Sequence, residues 1–186
     1  NRDLQPAFWF GDMPFAAVCR DSGSPVSNIF VIFARIFNLN RMAYNLLKGK
    51  KGLIFGALNE QSIAWKVAER AVEEGAEIVL TNSAVSIRMG TIGRLAEKCN
   101  TIVVPADATS VGDLENLIDK TMEHFGGKFD FMLHSIGMSP NVRKGRTYDD
   151  LDYDFLQKTL DISAISFHKV LQTAKKLDAI NEWGSV

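Results

Sequence analysis

The chain has 186 residues, 46% of them apolar and 23% charged, with a formal net charge of −1: the profile of a soluble globular protein of about one domain. Lys and Arg number 21 against 22 Asp and Glu, so there is no basic excess to hold a nucleic-acid backbone and no acidic tail. Cys19 and Cys99 lie far apart, and His124, His134 and His168 form no H-x-x-x-H pair, which argues against a disulfide framework and against a metal site.

Composition changes abruptly near residue 41. Residues 1–41 hold six of the 12 Phe and three of the five Pro, but no Lys or Glu; residues 42–186 hold all 12 Lys and all nine Glu. Met42 stands at the change and is followed by Ala-Tyr-Asn-Leu-Leu-Lys-Gly-Lys-Lys, which reads as the start of a cytosolic protein. Residues 1–41 are therefore expected to be a non-native or disordered extension. The apolar run from Ile29 to Phe37 is broken by Arg35 and closed by Asn38. It falls short of the roughly 20 apolar residues of a membrane span and lacks the small-residue site of a signal peptide.

From Met42 onward the pattern alternates. Leu53-Ile54-Phe55 is a short apolar run closed by Gly56, and Ser62 precedes Ile63, Ala64, Val67, Ala68 and Ala71 at helical spacing. Gly75 ends that helix, and Glu77 to Thr81 supplies the β-branched run of a strand buried on both faces. A weaker helix from about Ile92 to Lys98 leads to a third strand, Thr101 to Val104, stopped by Pro105. Ser110 and Asp113 resemble a capping box, and Val111, Leu114, Ile118, Met122 and Phe125 form an apolar stripe ended by Gly126-Gly127. Phe129 to His134 reads as a fourth strand and Met138 to Tyr148 as a polar loop. One long helix is predicted from about Asp152 to Lys176, and Asn181 to Val186 approaches a further strand without completing it.

This order predicts an α/β fold, a Rossmann-like doubly wound parallel sheet truncated after about four strands. In the strand order 3-2-1-4-5-6 the first four give 3-2-1-4, which leaves the fourth strand as a raw edge. No internal repeat of 20–50 residues is visible.

Three places carry candidate chemistry. The turn Gly56-Ala57-Leu58-Asn59-Glu60-Gln61-Ser62 joins the first strand to a helix N-terminus, whose free N–H groups suit a pyrophosphate. The G-x-G-x-x-G fingerprint is absent, and a plain strand-to-helix turn with Ser62 as N-cap reads the same spacing. Asp107 follows the third strand, where its carboxylate suits an adenine amino group or a simple turn. His134-Ser135-Ile136-Gly137 ends the fourth strand beside the switch point, the usual ligand crevice of open α/β sheets. His134 by itself reads better as a satisfied core histidine than as an acid or base.

Taken together, Gly56-x5-Ser62-Ile63-Ala64, Asp107, His134-Ser135-Ile136-Gly137, Asp161-Ile162-Ser163 and Ser166-Phe167 resemble the NADH-dependent enoyl-acyl-carrier-protein reductases of the short-chain dehydrogenase/reductase superfamily. The resemblance runs from about Met42 to Val186, roughly the first half of a family chain. Other short-chain dehydrogenases usually carry a glycine at Ser62 and an Asn-Ala-Gly turn at Ser135-Ile136-Gly137. Residues 42–186 would then form the N-terminal part of a dinucleotide-binding Rossmann domain.

The resemblance implies that Gly56, Ser62 and Ile63 line the pyrophosphate, that Ser83 faces the adenosine ribose, and that Asp107 and Ala108 meet the adenine. It places Ser135, Ile136 and Gly137 along the nicotinamide side, with Met138 and Ser139 near the acyl substrate. Thr81-Asn82-Ser83 offers no acid to a ribose 2′-hydroxyl, and Arg88 lies close along the chain; NADH is expected ahead of NADPH.

The activity implied is reduction of a trans-2-enoyl thioester on acyl carrier protein, in cytoplasmic type II fatty acid synthesis, by a homotetramer. In the family a tyrosine stabilises the enolate and a lysine seven residues on holds the nicotinamide ribose, both past a fifth strand. No such pair stands after the fourth strand in residues 42–186, so no catalytic residue is assigned and the chain alone is expected to be inactive. Tyr44-x-x-x-Lys48 matches the superfamily's shorter Tyr-x-x-x-Lys spacing but precedes the first strand. Tyr148 and Tyr153 have no lysine at the required spacing, and Tyr148 is expected to pack as a lid on the long helix. A raw edge and an uncovered helix face predict aggregation. Two alternatives stay open: another short-chain reductase, such as a ketoacyl reductase, and a non-catalytic dinucleotide-binding module.

Overall fold

The computed structural model describes residues 43–186, so the expectations for residues 1–41 lie outside it. Five strands form one sheet: β1 (Lys51–Phe55), β2 (Glu77–Asn82), β3 (Val103–Pro105), β4 (Phe129–His134) and β5 (Ile180–Ser185). Their order is β3-β2-β1-β4-β5 and every pairing is parallel.

The helices follow from the connections that parallel strands require. They are α1 (Ile63–Glu73), α2 (Ala84–Met89), α3 (Ile92–Cys99), α4 (Val111–Phe125), α5 (Pro140–Arg143), α6 (Tyr153–Leu160) and α7 (Ser166–Lys176). Side chains alternate across the sheet, so Leu53, Phe55 and Val79 face one layer and Ile54, Ile78 and Leu80 the other. The first layer is closed by Leu114, Leu117 and Ile118 of α4 with Val170 and Ala174 of α7. The second is closed by Ala64, Trp65 and Ala68 of α1 with Ile92 and Leu95 of α3. The chain changes face between β3 and β4, which puts the switch point between β1 and β4.

Several expectations need correction. The sheet does not stop at four strands: β5 pairs with β4 through Phe129↔Ile180 and Phe131↔Ser185, with a register shift between them. Covering β4 moves the open edge to β5. Asn181-Glu182-Trp183-Gly184 has no alternating pattern, and Trp183 sits at φ +66°, so this is a distorted strand with a poor sequence signature.

The long helix is also interrupted, by a π-turn at Asp161–Ile165, although Asp161 and Ser166 keep right-handed helical dihedrals. Two short helices, α2 and α5, were not expected; each is started by a serine, Ser83 accepting from the Ser86 N–H and Ser139 from the Val142 N–H. Tyr148 does not form a lid, because it is 92% exposed on a 3-10 turn at Tyr148–Asp150. Leu160 of α6, Ile165 of the π-turn and Phe167 of α7 are also exposed.

The opposite end of the sheet is held by two carboxylates. Glu74, buried at the end of α1, accepts from the Tyr44 and Leu46 N–H groups at 2.9 and 3.2 Å and docks the segment entering β1. Tyr44 and Lys48 therefore lie at the N-terminal end of the strands, away from the ligand edge. Asp130 accepts from the Lys51 N–H, Lys50 Nζ and Asn181 Nδ2, joining β1, β4 and β5. Burial pushes its carboxyl up, but those donors outweigh the burial and leave it below its ordinary value.

A third carboxylate joins α1 to α3. Glu69 accepts from Lys98 Nζ at 2.7 Å, from Lys66 Nζ and from the Trp65 indole N–H. The Lys98 ammonium, with Lys66 and Trp65, outweighs desolvation and lowers the Glu69 carboxyl from 4.5 to about 2. A folded-state value below the unfolded one means that the stabilisation is full above pH 4.5 and is lost as pH falls toward about 2. Because both lysines are largely exposed, the contribution is on the order of 1 kcal/mol. Urea midpoints of the chain and Glu69→Gln are expected to differ at neutral pH and to converge toward pH 2; a gap that stays constant through this acid range contradicts the assignment.

Candidate functional site

The residues singled out in sequence collect at the C-terminal edge of the sheet. Gly56 follows β1, Ser83 follows β2, Asp107 and Ala108 follow β3, and Ser135 to Ser139 follow β4.

Gly56 stands at φ +92° and donates its N–H to the Thr81 carbonyl at 3.2 Å. A Cβ here would collide with the Ser135 carbonyl, so the turns after β1 and β4 touch backbone to backbone at the switch point, and only glycine permits both the dihedral and the approach.

Ser62 occupies the N-cap position of α1 with an extended backbone, but its side chain makes no cap hydrogen bond. Its hydroxyl accepts from the Leu58 and Asn59 N–H groups at 3.1 and 3.0 Å and donates to Asn59 Oδ1. The plain-cap reading of Ser62 is thus corrected: the serine shapes the loop before the helix. Among the described residues no side chain accepts from the first-turn N–H groups of α1, beside Ile63, which is 74% exposed.

Ser83 caps α2 and its hydroxyl donates to Ser86 Oγ at 2.9 Å. Its neighbour Asn82, which sequence reasoning did not select, donates from Nδ2 to the Ala57 carbonyl at 3.0 Å and accepts the Ser83 N–H at 2.8 Å. One amide therefore holds the turns after β1 and β2 together. The only signal was a polar residue at the end of a buried strand.

Asp107 forms an Asx turn: Oδ1 accepts from the Thr109 N–H and hydroxyl at 2.9 and 2.8 Å. Its own N–H donates to Asp113 Oδ2 at 3.0 Å, so the Asp113 carboxylate braces this loop while Ser110 caps α4. Asp107 is exposed, and Ala108 is buried beneath it.

His134 Nε2 lies 2.9 Å from Ser166 Oγ, and that hydroxyl donates to the Ile162 carbonyl at 2.6 Å. The serine proton is thus committed, and the network assigns the N–H to Nε2. Burial lowers the His134 imidazole below its ordinary value, against a smaller opposing contribution from its own carbonyl. The ring sits between Phe55 and Phe167, with centroids 6.0 and 5.4 Å away. Neutral and paired, it positions the end of β4.

Beyond it, Ile136 packs on the core and Gly137 is exposed. The Met138 N–H donates to Ser163 Oγ at 3.1 Å, and that hydroxyl lies 3.3 Å from the Met138 carbonyl. Ser163 is on the π-turn, so this turn fixes the strand-end loop. Buried Asn141 bonds both backbone groups of Asp152, at 3.0 and 3.1 Å, and ties α5 to the start of α6. Among the described residues no group of three or more His, Cys, Asp or Glu is arranged to hold a metal, and no helix is long and apolar enough to cross a membrane.

The C-terminal edge of a parallel sheet at its switch point, beside a helix start, is where dinucleotides bind in doubly wound folds. The chain is similar to the solved FabI–NADH complex from Alistipes finegoldii, at 93% identity and a TM-score of 0.75 over 76% of this chain and 50% of that one. It is 36% identical to the enoyl-[acyl-carrier-protein] reductase [NADH] FabI of Rickettsia bellii over 148 residues, 78% of this chain and 54% of that protein. It is 32% identical to enoyl-[acyl-carrier-protein] reductase [NADH] 2 of Rhizobium meliloti over 132 residues, 71% of this chain and 49% of that protein. The chain spans about half the length of the curated relatives it matches. The family model described as enoyl-(acyl carrier protein) reductase matches residues 56–186, from the glycine of the first turn through β5, and the chain belongs to that family.

Proposed function

We propose that residues 42–186 are the N-terminal part of an NADH-binding domain whose complete protein reduces trans-2-enoyl thioesters carried on acyl carrier protein. The observation that carries this reading is the contact of Gly56 with Ser135 at the switch point, next to the uncapped start of α1. The similarity to NADH-dependent enoyl-[acyl-carrier-protein] reductases and to the Alistipes finegoldii FabI–NADH complex supports the cofactor and the substrate class.

The residues fit the cofactor. The first-turn N–H groups of α1, next to Ser62 and Ile63, form a donor set for a pyrophosphate, and the absent Cβ of Gly56 lets the backbone lie close. Ser83 sits at the ribose position with no acid beside it, and Asp107, held over Ala108, turns a carboxylate oxygen toward an adenine amino group. Ser135, Ile136 and Gly137 flank the nicotinamide side; Met138 and Ser139 border the acyl chain. NADH, when bound, supplies the hydride for the β-carbon of the enoyl thioester. The chain's own residues bind and orient the reactants, and His134, neutral and committed to Ser166, moves no proton. We further infer that the complete protein is a cytoplasmic homotetramer of type II fatty acid synthesis, and that the 186 residues alone turn nothing over, because they contain no tyrosine and lysine seven apart at the ligand edge.

Fluorescence titration of the chain with NADH tests the reading. Saturable binding is expected, displaced by ADP and weaker with NADPH, and without NADH oxidation when a trans-2-enoyl thioester is added. Absence of saturable binding by the folded chain overturns it.

A further inference from the structure

We propose that Lys169 is a positioning residue for the adenosine half of the cofactor, acting by tying the loop after β3 to the π-turn. The proposal rests on the NADH reading given above. Lys169 lies on α7, and its ammonium donates to two acceptors at 2.9 Å, the Thr109 carbonyl and Asp161 Oδ1. Its side chain is 26% exposed, so this is a half-buried, charge-assisted pair of bonds in place of a solvated lysine.

What the ammonium holds matters more than the bonds themselves. Thr109 contributes all its polar groups to this corner: its carbonyl meets Lys169, while its N–H and hydroxyl both meet the Asp107 carboxylate. Asp107 in turn donates its N–H to Asp113. A continuous polar chain therefore runs from α7 through Thr109 and Asp107 to α4. Every other link in it lies within residues 107–113; among the described residues Lys169 is the one link in it that arrives from a distant element, 60 residues along the chain. Its second partner, Asp161, opens the turn whose Ser163 binds Met138. An ordinary salt bridge stapling one helix to itself would have no reason to reach a loop carbonyl across the sheet.

Removing the ammonium leaves the Thr109 carbonyl without its partner and frees Asp107 and Ala108 to move. Calorimetric titration of ADP and of NADH into the chain, Lys169→Met and Lys169→Arg tests this, with thermal melts alongside. Lys169→Met is expected to weaken both ligands by the same factor, about tenfold, and Lys169→Arg to restore affinity to within about twofold. A purely structural role lowers the melting temperature and leaves the Kd of the folded protein unchanged, and that result overturns the proposal; so does a Lys169→Arg variant as weak as Lys169→Met. Should Lys169→Met fail to fold, Asp161→Asn keeps the lysine and weakens its anchor: a roughly threefold loss for ADP is expected, and an unchanged ADP affinity overturns the proposal. Wild-type chain that binds neither ligand removes the NADH reading and this role with it, whereas wild-type binding with an unaffected Lys169→Met removes only the role of Lys169.

Discussion

Ile63→Asp is expected to stabilise the fold slightly while weakening NADH binding roughly 30-fold. Ile63 is the first residue of α1 and is 74% exposed, so replacing it sacrifices little burial. A carboxylate in the first helical turn meets the positive end of the helix dipole, a gain of about 0.5 kcal/mol. The first turn of α1 contains no acid at present. The same carboxylate faces the proposed pyrophosphate. With about two negative charges some 5 Å away in mostly aqueous surroundings, repulsion of about 2 kcal/mol corresponds to a roughly 30-fold weaker Kd. Urea unfolding and NADH titration of one preparation read both effects. Opposite signs are the signature of an anion site at this helix start; an unchanged NADH affinity would place the pyrophosphate elsewhere.

Gly56→Ala should be the most destructive single methyl group in the described chain's ligand edge. Two independent penalties combine: a side chain at φ +92°, and a Cβ driven into the Ser135 backbone carbonyl, which cannot swing aside as a side chain would. Together they amount to about 3 kcal/mol, a large fraction of the stability of a domain this size. Gly137→Ala is the matched control. A Cβ at Gly137 meets nothing within 4 Å, and its substitution is expected to leave the urea midpoint nearly unchanged. Equal midpoints for the two variants would contradict the backbone contact between the turns after β1 and β4.

Legibility from sequence followed how locally each feature is encoded. Leu53 to Phe55 and Ile78 to Leu80 are buried on both faces, and such runs announce strands without help from the rest of the chain. The stripe of α4 and its cap at Ser110 were readable for the same reason. β5 was not, because Asn181 to Gly184 owes its strand geometry to the partner it finds on β4 and to Asp130, which receives Asn181 Nδ2. Helices of four to six residues carry too few turns for a hydrophobic period, so α2 and α5 showed only their serine caps. In the site, the backbone positions of Gly56 and Asp107 were readable because turns must follow strands, whereas Ser83 came only from the family resemblance. The cross-links made by Asn82, Ser163 and Lys169 were not, since each joins segments distant in sequence and no spacing rule reports a tertiary hydrogen bond.

The π-turn at Asp161–Ile165 adds one residue to an otherwise continuous helix, and one residue of α-helix corresponds to about 100° of rotation. The turn therefore works as a phase shifter. Val170 and Ala174 of α7 face the sheet, while α6, upstream of the shift, is aimed independently, toward Asn141 and the loop after β4. Restoring a regular helix by removing that residue would swing α6 and its attachments around the axis while α7 stayed anchored. The chain in this stretch thus tolerates changes of letter better than changes of count.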